Sequence, residues 1–263
     1  MLRLWRDLYR IVLHPERISL VRVRRARSSK AGEVSAALEI PAGKSTWQAA
    51  LAHLDELIAG IRSNKADVEV VLSNHYVRYA VVPWSSEVTD AAETRAMTGI
   101  CFEQVYGDLV AEWEIRLSHA RYGESRLASA IDRELLQALS DVFERTSLRL
   151  VSIQPCLMTA FNHCREKIQD EDYLFMLDEP GRLCLLQVNN RQCFQIRVSP
   201  VVNLADELPG ILNREVMLNG LDMAIKKYRY TLECIHENSP LPDMEMLSSK
   251  VANAQPATSL RSA

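Results

Sequence analysis

The chain has 263 residues, of which 48% are hydrophobic and 25% charged, the balance of an ordinary globular protein. This composition excludes wholesale disorder, a collagen-like chain and a small disulfide-stapled domain. The six cysteines, at positions 101, 156, 164, 184, 193 and 234, form no C-x-x-C pair and indicate buried, reduced thiols. No apolar run reaches the roughly 18 residues of a membrane span, and no signal-peptide core is visible. We therefore expect a cytoplasmic protein.

The net charge of −3 is unevenly distributed along the chain. The first 30 residues contain nine Lys and Arg against two acidic residues, and the other 233 contain 22 against 32. The two parts therefore carry charges of +7 and −10. A basic head on an acidic body predicts that the head faces something anionic. Phospholipid head groups, an acidic partner and the chain's own body all satisfy that requirement.

Residues 1–13 have the apolar spacing of a short amphipathic helix that ends before His14-Pro15. Leu4, Leu8 and Ile11 share one face of that helix. Such a segment can lie in a membrane interface through its basic side chains. A second basic run follows in a predicted turn at 24–32. The candidate contacts with a partner or a membrane are Arg3, Trp5, Arg6, Arg10, Arg24, Arg25 and Arg27.

Apolar periodicity and turn residues predict the remaining elements in chain order. The first half should contain strands at 18–23 and 34–40, a helix at 47–61, strands at 68–72 and 76–82, a helix ending near 107 and strands at 113–117 and 127–131. The second half should contain a helix from 132, a strand at 148–153, a helix ending near 168, strands at 173–177, 183–188 and 194–198, a helix at 204–218 and a strand at 228–234.

The clearest helix signal begins with a capping box at 45–48 and continues as an apolar stripe through Trp47, Leu51, Leu54 and Ile58. Two hairpin–helix–strand units, at 18–72 and 173–235, form a weak structural repeat. The element order predicts an α/β (α+β) protein with mixed sheets. Residues 237–263 contain few large apolar residues and are predicted to be a disordered tail.

This layout resembles the actin-like pilus-assembly and type II secretion platform proteins, the PilM-like and GspL-like families. The resemblance runs from Ile18 to Val198 and more loosely to Ile235. The stretches that carry it are Val70 to Tyr79 followed by Val82-Pro83-Trp84-Ser85, then Phe102 with Tyr106-Gly107 and Trp113, then Ala130 to Phe161, and finally Tyr173 to Val198.

The resemblance implies an actin-like (ribonuclease H-like) fold of two lobes, with a small subdomain inserted in the first. On this basis residues 1–13 are the basic head and 14–146 the first lobe, with the insertion at about 86–131. Residues 147–236 would form a shortened, incomplete second lobe, followed by the tail.

The family fold also implies a nucleotide held between the lobes by two glycine-containing hairpin turns and a magnesium-organising Asp. The turn that we align with the first of these, at 24–32, has no acidic residue and no glycine before Gly32. The second reads Asp178-Glu179-Pro180-Gly181-Arg182, in which Asp178 and Gly181 are the degenerate nucleotide positions. Pro180 removes a backbone donor and Glu179 repels phosphate. We therefore expect neither ATP nor magnesium as a cofactor.

No other pattern in the sequence indicates an enzyme. The six histidines form no ligand pattern, and no Walker, G-x-S-x-G, H-E-x-x-H or G-x-G-x-x-G motif occurs. We predict no catalytic residue and no metal site. Nucleic acid is not expected either, because the basic run at 22–30 lacks aromatic residues and the body is acidic.

The resemblance implies a non-catalytic scaffold of a bacterial type IV pilus or type II secretion platform, at the periphery of the inner membrane. Its partner would be a cytoplasmic segment or domain of an inner-membrane protein, with an anionic membrane as a peripheral contact. Two alternatives stay open: an ATP-binding actin-like assembly protein with drifted phosphate loops, and a free-standing regulatory or nucleic-acid-binding module. Neither the oligomeric state nor the appendage served can be read from the sequence.

Overall fold

A computed structural model of the chain describes residues 6–24, 33–39, 47–61, 66–222, 224–231 and 245–246. Its helices are α1 (Trp47–Ala59), α2 (Ala91–Tyr106), α3 (Arg133–Glu144), α4 (Cys156–Cys164) and α5 (Leu204–Asn219), with a 3₁₀ turn at Gly107–Glu112. Its strands are β1 (Asp7–Leu13), β2 (Arg17–Arg24), β3 (Glu33–Glu39), β4 (Ala66–Leu72), β5 (Val77–Val82), β6 (Trp113–Leu117), β7 (Arg126–Asp132), β8 (Arg149–Pro155), β9 (Tyr173–Glu179), β10 (Arg182–Asn189), β11 (Gln192–Pro200), β12 (Lys226–Thr231) and β13 (Glu245–Met246).

The first lobe is built on a five-stranded sheet in the order β3-β2-β1-β4-β8. Its centre is β1, which pairs antiparallel with β2 and parallel with β4. Successive residues of a strand point to opposite faces, and Ile11, Val12 and Leu13 are all fully buried, so both faces of β1 are covered. Helix α1 packs on this sheet through its predicted stripe, and α3 packs against α1.

The second lobe repeats this arrangement in the order β11-β10-β9-β12-β13. Here β9 is the centre, antiparallel to β10 and parallel to β12. Helix α5 connects β11 to β12 as α1 connects β3 to β4, and it has its own apolar cluster with β9 and β10. The two lobes are therefore built from equivalent units. The repeat inferred from the sequence is present, but its first unit begins with β1 at Asp7 and not at residue 18.

A smaller unit is inserted between β4 and β8 and consists of β5, β6, β7 and α2. Its sheet has the order β5-β7-β6, with both pairs antiparallel. Asp90 caps α2 by accepting hydrogen bonds from the backbone N–H groups of Ala92 and Glu93, in a capping box with Glu93. The inserted unit has a separate core around Phe102.

Helix α4 joins the two lobes, because it contacts β4 and β8 on one side and β9 on the other. Leu157 and Ala160 on this helix are fully buried, and the Phe161 ring packs edge-on against Phe175 of β9 at 5.6 Å between centroids. The largest apolar cluster consequently includes residues of both lobes. No helix in the described ranges is both long enough and apolar enough to span a membrane.

The predicted amphipathic helix at 1–13 is wrong for the residues that the structure describes. Asp7–Leu13 is the central strand of the first sheet, and Tyr9, Ile11 and Leu13 lie on the same face of it and are buried. Pairing with β2 and β4 satisfies the backbone on both edges of the segment. Burial of Tyr9 and of residues 11–13 on the two faces of the sheet then outweighs the helical spacing of Leu8 and Ile11.

Two other boundaries differ from the sequence-based division. The predicted start of the second lobe at 147 precedes β8, which pairs with β4 and so belongs to the first sheet. The predicted disordered tail contains β13, which pairs with Tyr228 and Arg229 of β12. The other residues of 237–263 lie outside the described part of the chain.

Candidate functional site: the contact between the two hairpin turns

The central strand of each lobe ends in a tight hairpin turn. In the first lobe β1 turns into β2 through His14, Pro15 and Glu16, and in the second β9 turns into β10 through Pro180 and Gly181. The two turns are equivalent in the repeat. The sequence-based assignment of the first turn to 24–32 is therefore wrong, because that segment joins β2 to β3, one strand further along.

The two turns contact each other through a shared carbonyl group. The Nε2 atoms of His14 and His75 lie 3.1 and 3.0 Å from the carbonyl oxygen of Pro180. A carbonyl oxygen only accepts, so each ring donates Nε2–H, and the His14 Nδ1 in turn accepts from the Glu16 N–H at 3.2 Å. Burial is the largest influence on His75 and lowers its pKa. Both rings thus hold the second lobe's turn against the first lobe.

Glu179, the last residue of β9, makes the second link between the lobes. Its side chain is 3% exposed and accepts a hydrogen bond from the Ser73 hydroxyl at 2.7 Å and another from the Asn74 backbone N–H at 3.0 Å. Burial is the main influence on this carboxyl and raises its pKa to about 7, against the hydrogen bonds from Ser73 and Asn74, which lower it. The loop that follows β4 therefore binds a carboxyl supplied by the other lobe.

The polar cluster extends from Glu179 into the inserted unit. The Tyr79 hydroxyl donates to Asn74 Oδ1, and the His75 N–H donates to the Ser73 hydroxyl at 3.1 Å. Asn74 Nδ2 and the Tyr76 hydroxyl are buried without a hydrogen-bond partner in the described part of the chain. Such atoms carry a desolvation cost of about 1–3 kcal/mol each. The cluster therefore holds the β4–β5 loop in place but leaves two buried donors unused.

The two residues predicted to be degenerate nucleotide positions have other roles. Asp178 forms an ion pair with Arg229 of β12, the strand that pairs with β9. Its carboxyl is therefore bound within the second sheet. Gly181 has a φ of 77°, and a Cβ there would lie 3.2 Å from Cε1 of His75. The glycine is needed for the left-handed turn and for the close approach of the histidine ring.

The basic contact candidates within the described residues are paired inside the first lobe. Arg6 lies 3.6 Å from the Asp67 carboxylate, and Arg10 lies 3.2 Å from that of Glu69. Of the others, Arg24 pairs with Leu8 through the backbone. Arg3, Trp5, Arg25 and Arg27 lie outside the described residues, and their predicted contacts stay predictions.

The described residues include no group of three or more His, Cys, Asp and Glu side chains arranged to hold a metal ion. The chemistry that this site offers is hydrogen bonding between lobes. The sequence predicts that Glu179 is a turn residue, whereas the structure buries it between the lobes. The one available signal was a carboxylate at the end of the apolar run 173–177, directly before Pro180.

The described surface also contains a cleft of about 560 Å³ on the inserted unit. It lies between the loop that precedes α2, the first turns of α2 and the tip of the β6–β7 hairpin. Trp84 and Tyr122, which are 44% and 91% exposed, meet edge-to-face there at 5.4 Å between ring centroids. Arg121 and Arg126 also line the cleft, as do the acidic residues Asp90 and Glu124.

Solved structures share this arrangement of two lobes. A structure of the PilM-PilN type IV pilus biogenesis complex is 16% identical over 83% of this chain and 67% of that one, with a TM-score of 0.55. A Bacteroides thetaiotaomicron protein of unknown function with an actin-like ATPase fold is 8% identical over 88% and 84%, with a TM-score of 0.60. The chain has an actin-like fold.

A third similar structure is the cytoplasmic domain of EpsL, an inner-membrane component of the type II secretion system of Vibrio cholerae. It is 15% identical over 92% of this chain and 85% of that one, with a TM-score of 0.53. Comparison with protein-family profiles and with curated protein sequences finds no match. The α/β class and the resemblance to pilus and secretion platform proteins are thus confirmed at the level of the fold.

Proposed function

We propose that this actin-like protein is a non-catalytic scaffold of a type IV pilus or type II secretion platform, on the cytoplasmic side of the inner membrane. The observation that carries the proposal is the direct contact between the two hairpin turns. Those turns are the elements between which proteins of this fold are expected to hold nucleotide phosphates, and here they bind each other.

The contact leaves little for a phosphate to bind. Pro180 has no N–H to donate, and its carbonyl oxygen already accepts from two histidines. The Ser73 hydroxyl and the Asn74 N–H are occupied by Glu179, whose carboxyl would repel a phosphate when ionised. We therefore propose that the protein works without ATP or magnesium and has no ATPase activity.

The similarity in fold supports a place in an inner-membrane assembly. One structural relative is described in a complex of pilus biogenesis and another as a cytoplasmic domain of a secretion component. By analogy with these, the partner of this chain would be a cytoplasmic segment or domain of an inner-membrane pilus or secretion protein.

The cleft on the inserted unit is the surface that we propose for this partner. It combines Trp84, Tyr122 and Arg121, the three residue types that dominate binding energy at protein interfaces. The exposed rings offer apolar contact area, and the guanidinium groups offer donors for carboxylates of the partner. No similar cluster of exposed aromatic rings is found elsewhere in the described chain, where Phe194 is the other strongly exposed ring.

A genetic test follows from the proposal. Deleting the gene in the source organism should abolish type IV pilus assembly or type II secretion, and the wild-type gene should restore it. A W84A/Y122A double variant should fail to restore it while keeping its melting temperature, because both rings are exposed. The control F194A removes an exposed ring from the second lobe and should restore function. Normal pili and normal secretion in the deletion strain would refute the scaffold role.

A further inference from the structure

One buried carboxyl crosses between the two lobes. Glu179 belongs to the central strand of the second lobe, yet both hydrogen bonds described above come from the loop after β4 of the first lobe. With 3% of its surface exposed, the group has almost no access to water while the lobes stay together. If the lobes separated at the turns, the carboxyl would regain its hydration.

We infer that Glu179 is a proton-linked latch, which holds the two lobes together when its carboxyl is protonated and favours their separation when the proton is lost. The inference concerns motion between the lobes and goes beyond the proposed scaffold role. It rests on the burial of the carboxyl at the lobe contact and on the groups that surround it there.

Burial of Glu179 disfavours a negative charge on its carboxyl. The two bonded donors, Ser73 and Asn74, favour the charge, but both are neutral and they offset only part of the cost of burial. Arg182 at the start of β10 is the cation that favours the ionised form, and it makes no hydrogen bond to the carboxyl among those described. The other titratable groups facing the site come from the β4–β5 loop, β5, α4, β10 and the first turn, and they are Tyr76, Tyr79, Cys156, Cys184, His14 and His75.

The direction of the pH dependence follows from this burial. The pKa of Glu179 is about 7 in the closed arrangement against an ordinary value of 4.5. A raised carboxyl pKa means that the closed state holds the proton more tightly than the open state. Opening therefore releases a proton, grows more favourable as the pH rises from about 4.5 to 7, and levels off above that range. Between pH 5.5 and 7.5 the opening equilibrium should increase roughly 20-fold.

Hydrogen exchange measured by mass spectrometry can follow this opening through peptides that cover 66–82 and 173–189. Wild-type protein and an E179Q variant are compared at the same pH, so that intrinsic exchange rates cancel. Because glutamine cannot ionise, the ratio of wild-type to E179Q opening should rise roughly 20-fold from pH 5.5 to 7.5. The exposed Glu171→Gln variant, whose side chain lies away from the β4–β5 loop, should give a ratio that is flat with pH.

A wild-type to E179Q ratio that stays constant over this pH range would overturn the latch. If the E179Q variant does not fold, carbon-13 NMR of the wild-type protein labelled in its glutamate carboxyls gives a second test. One carboxyl resonance should titrate with a midpoint near 7, the value expected for Glu179. Titration of every glutamate near its ordinary pKa would equally reject the inference.

Discussion

Replacing Ile11 by alanine should destabilise the protein by about 2–5 kcal/mol, the usual cost of truncating a fully buried isoleucine. Ile11 lies in β1 between Leu20 of β2 and Val70 of β4, so its loss leaves a cavity at the centre of the first sheet. For a chain of this size the melting temperature should fall by roughly 5–15 °C. Thermal and denaturant unfolding measure both quantities.

The matched control is Val202→Ala, because Val202 is fully exposed in the turn before α5. That variant should change the free energy of unfolding by no more than about 0.5 kcal/mol. An Ile11→Ala variant as stable as this control would mean that residues 7–13 lie on the surface. In that case the amphipathic helix inferred from the sequence would have to be reconsidered.

Replacing Phe102 by alanine should cost about 3–5 kcal/mol, and the loss should be local. Phe102 is fully buried in the separate core of the inserted unit, where its ring packs against Tyr106 and Trp113 at 5.9 and 6.5 Å between centroids. Because this core does not include the sheets of the two lobes, hydrogen exchange should accelerate over residues 91–132 and change little over 173–200.

Ile100→Ala is the control on the same helix, since Ile100 is about half exposed. It should leave exchange in both regions close to that of the wild-type protein. Equal acceleration over the inserted unit and the second lobe in Phe102→Ala would show instead that the two unfold as one cooperative body.

Most elements could be predicted from the sequence because their signals are local. The stripe of α1, the Asp132 cap of α3 and the hairpin turns at Gly181 and Asn190 depend on residues close in the chain. Strand β1 could not be recognised in the same way. A strand buried on both faces has no regular polar alternation, and the apolar spacing of a segment as short as Asp7–Leu13 matches a helix as well as a strand.

The position of the site depends on β1 as well. With a helix predicted at 1–13, the first predicted hairpin turn is 24–32, whereas in the structure His14–Glu16 occupies that place in the repeat. The role of Glu179 depends on Ser73 and Asn74, more than 100 residues away in the chain. The sequence contains both partners but no local pattern that joins them, so the burial of this carboxyl becomes visible only when the two lobes are together.

The most direct test of the account is the effect of Mg-ATP on the thermal stability of the intact protein. A ligand that binds the native state with micromolar affinity would add about 4 kcal/mol of stability at millimolar concentration. Because the two hairpin turns bind each other, we predict the same melting temperature with and without millimolar Mg-ATP. A clear magnesium-dependent rise in melting temperature would contradict the closed contact between the turns, and with it the proposal of a nucleotide-free scaffold.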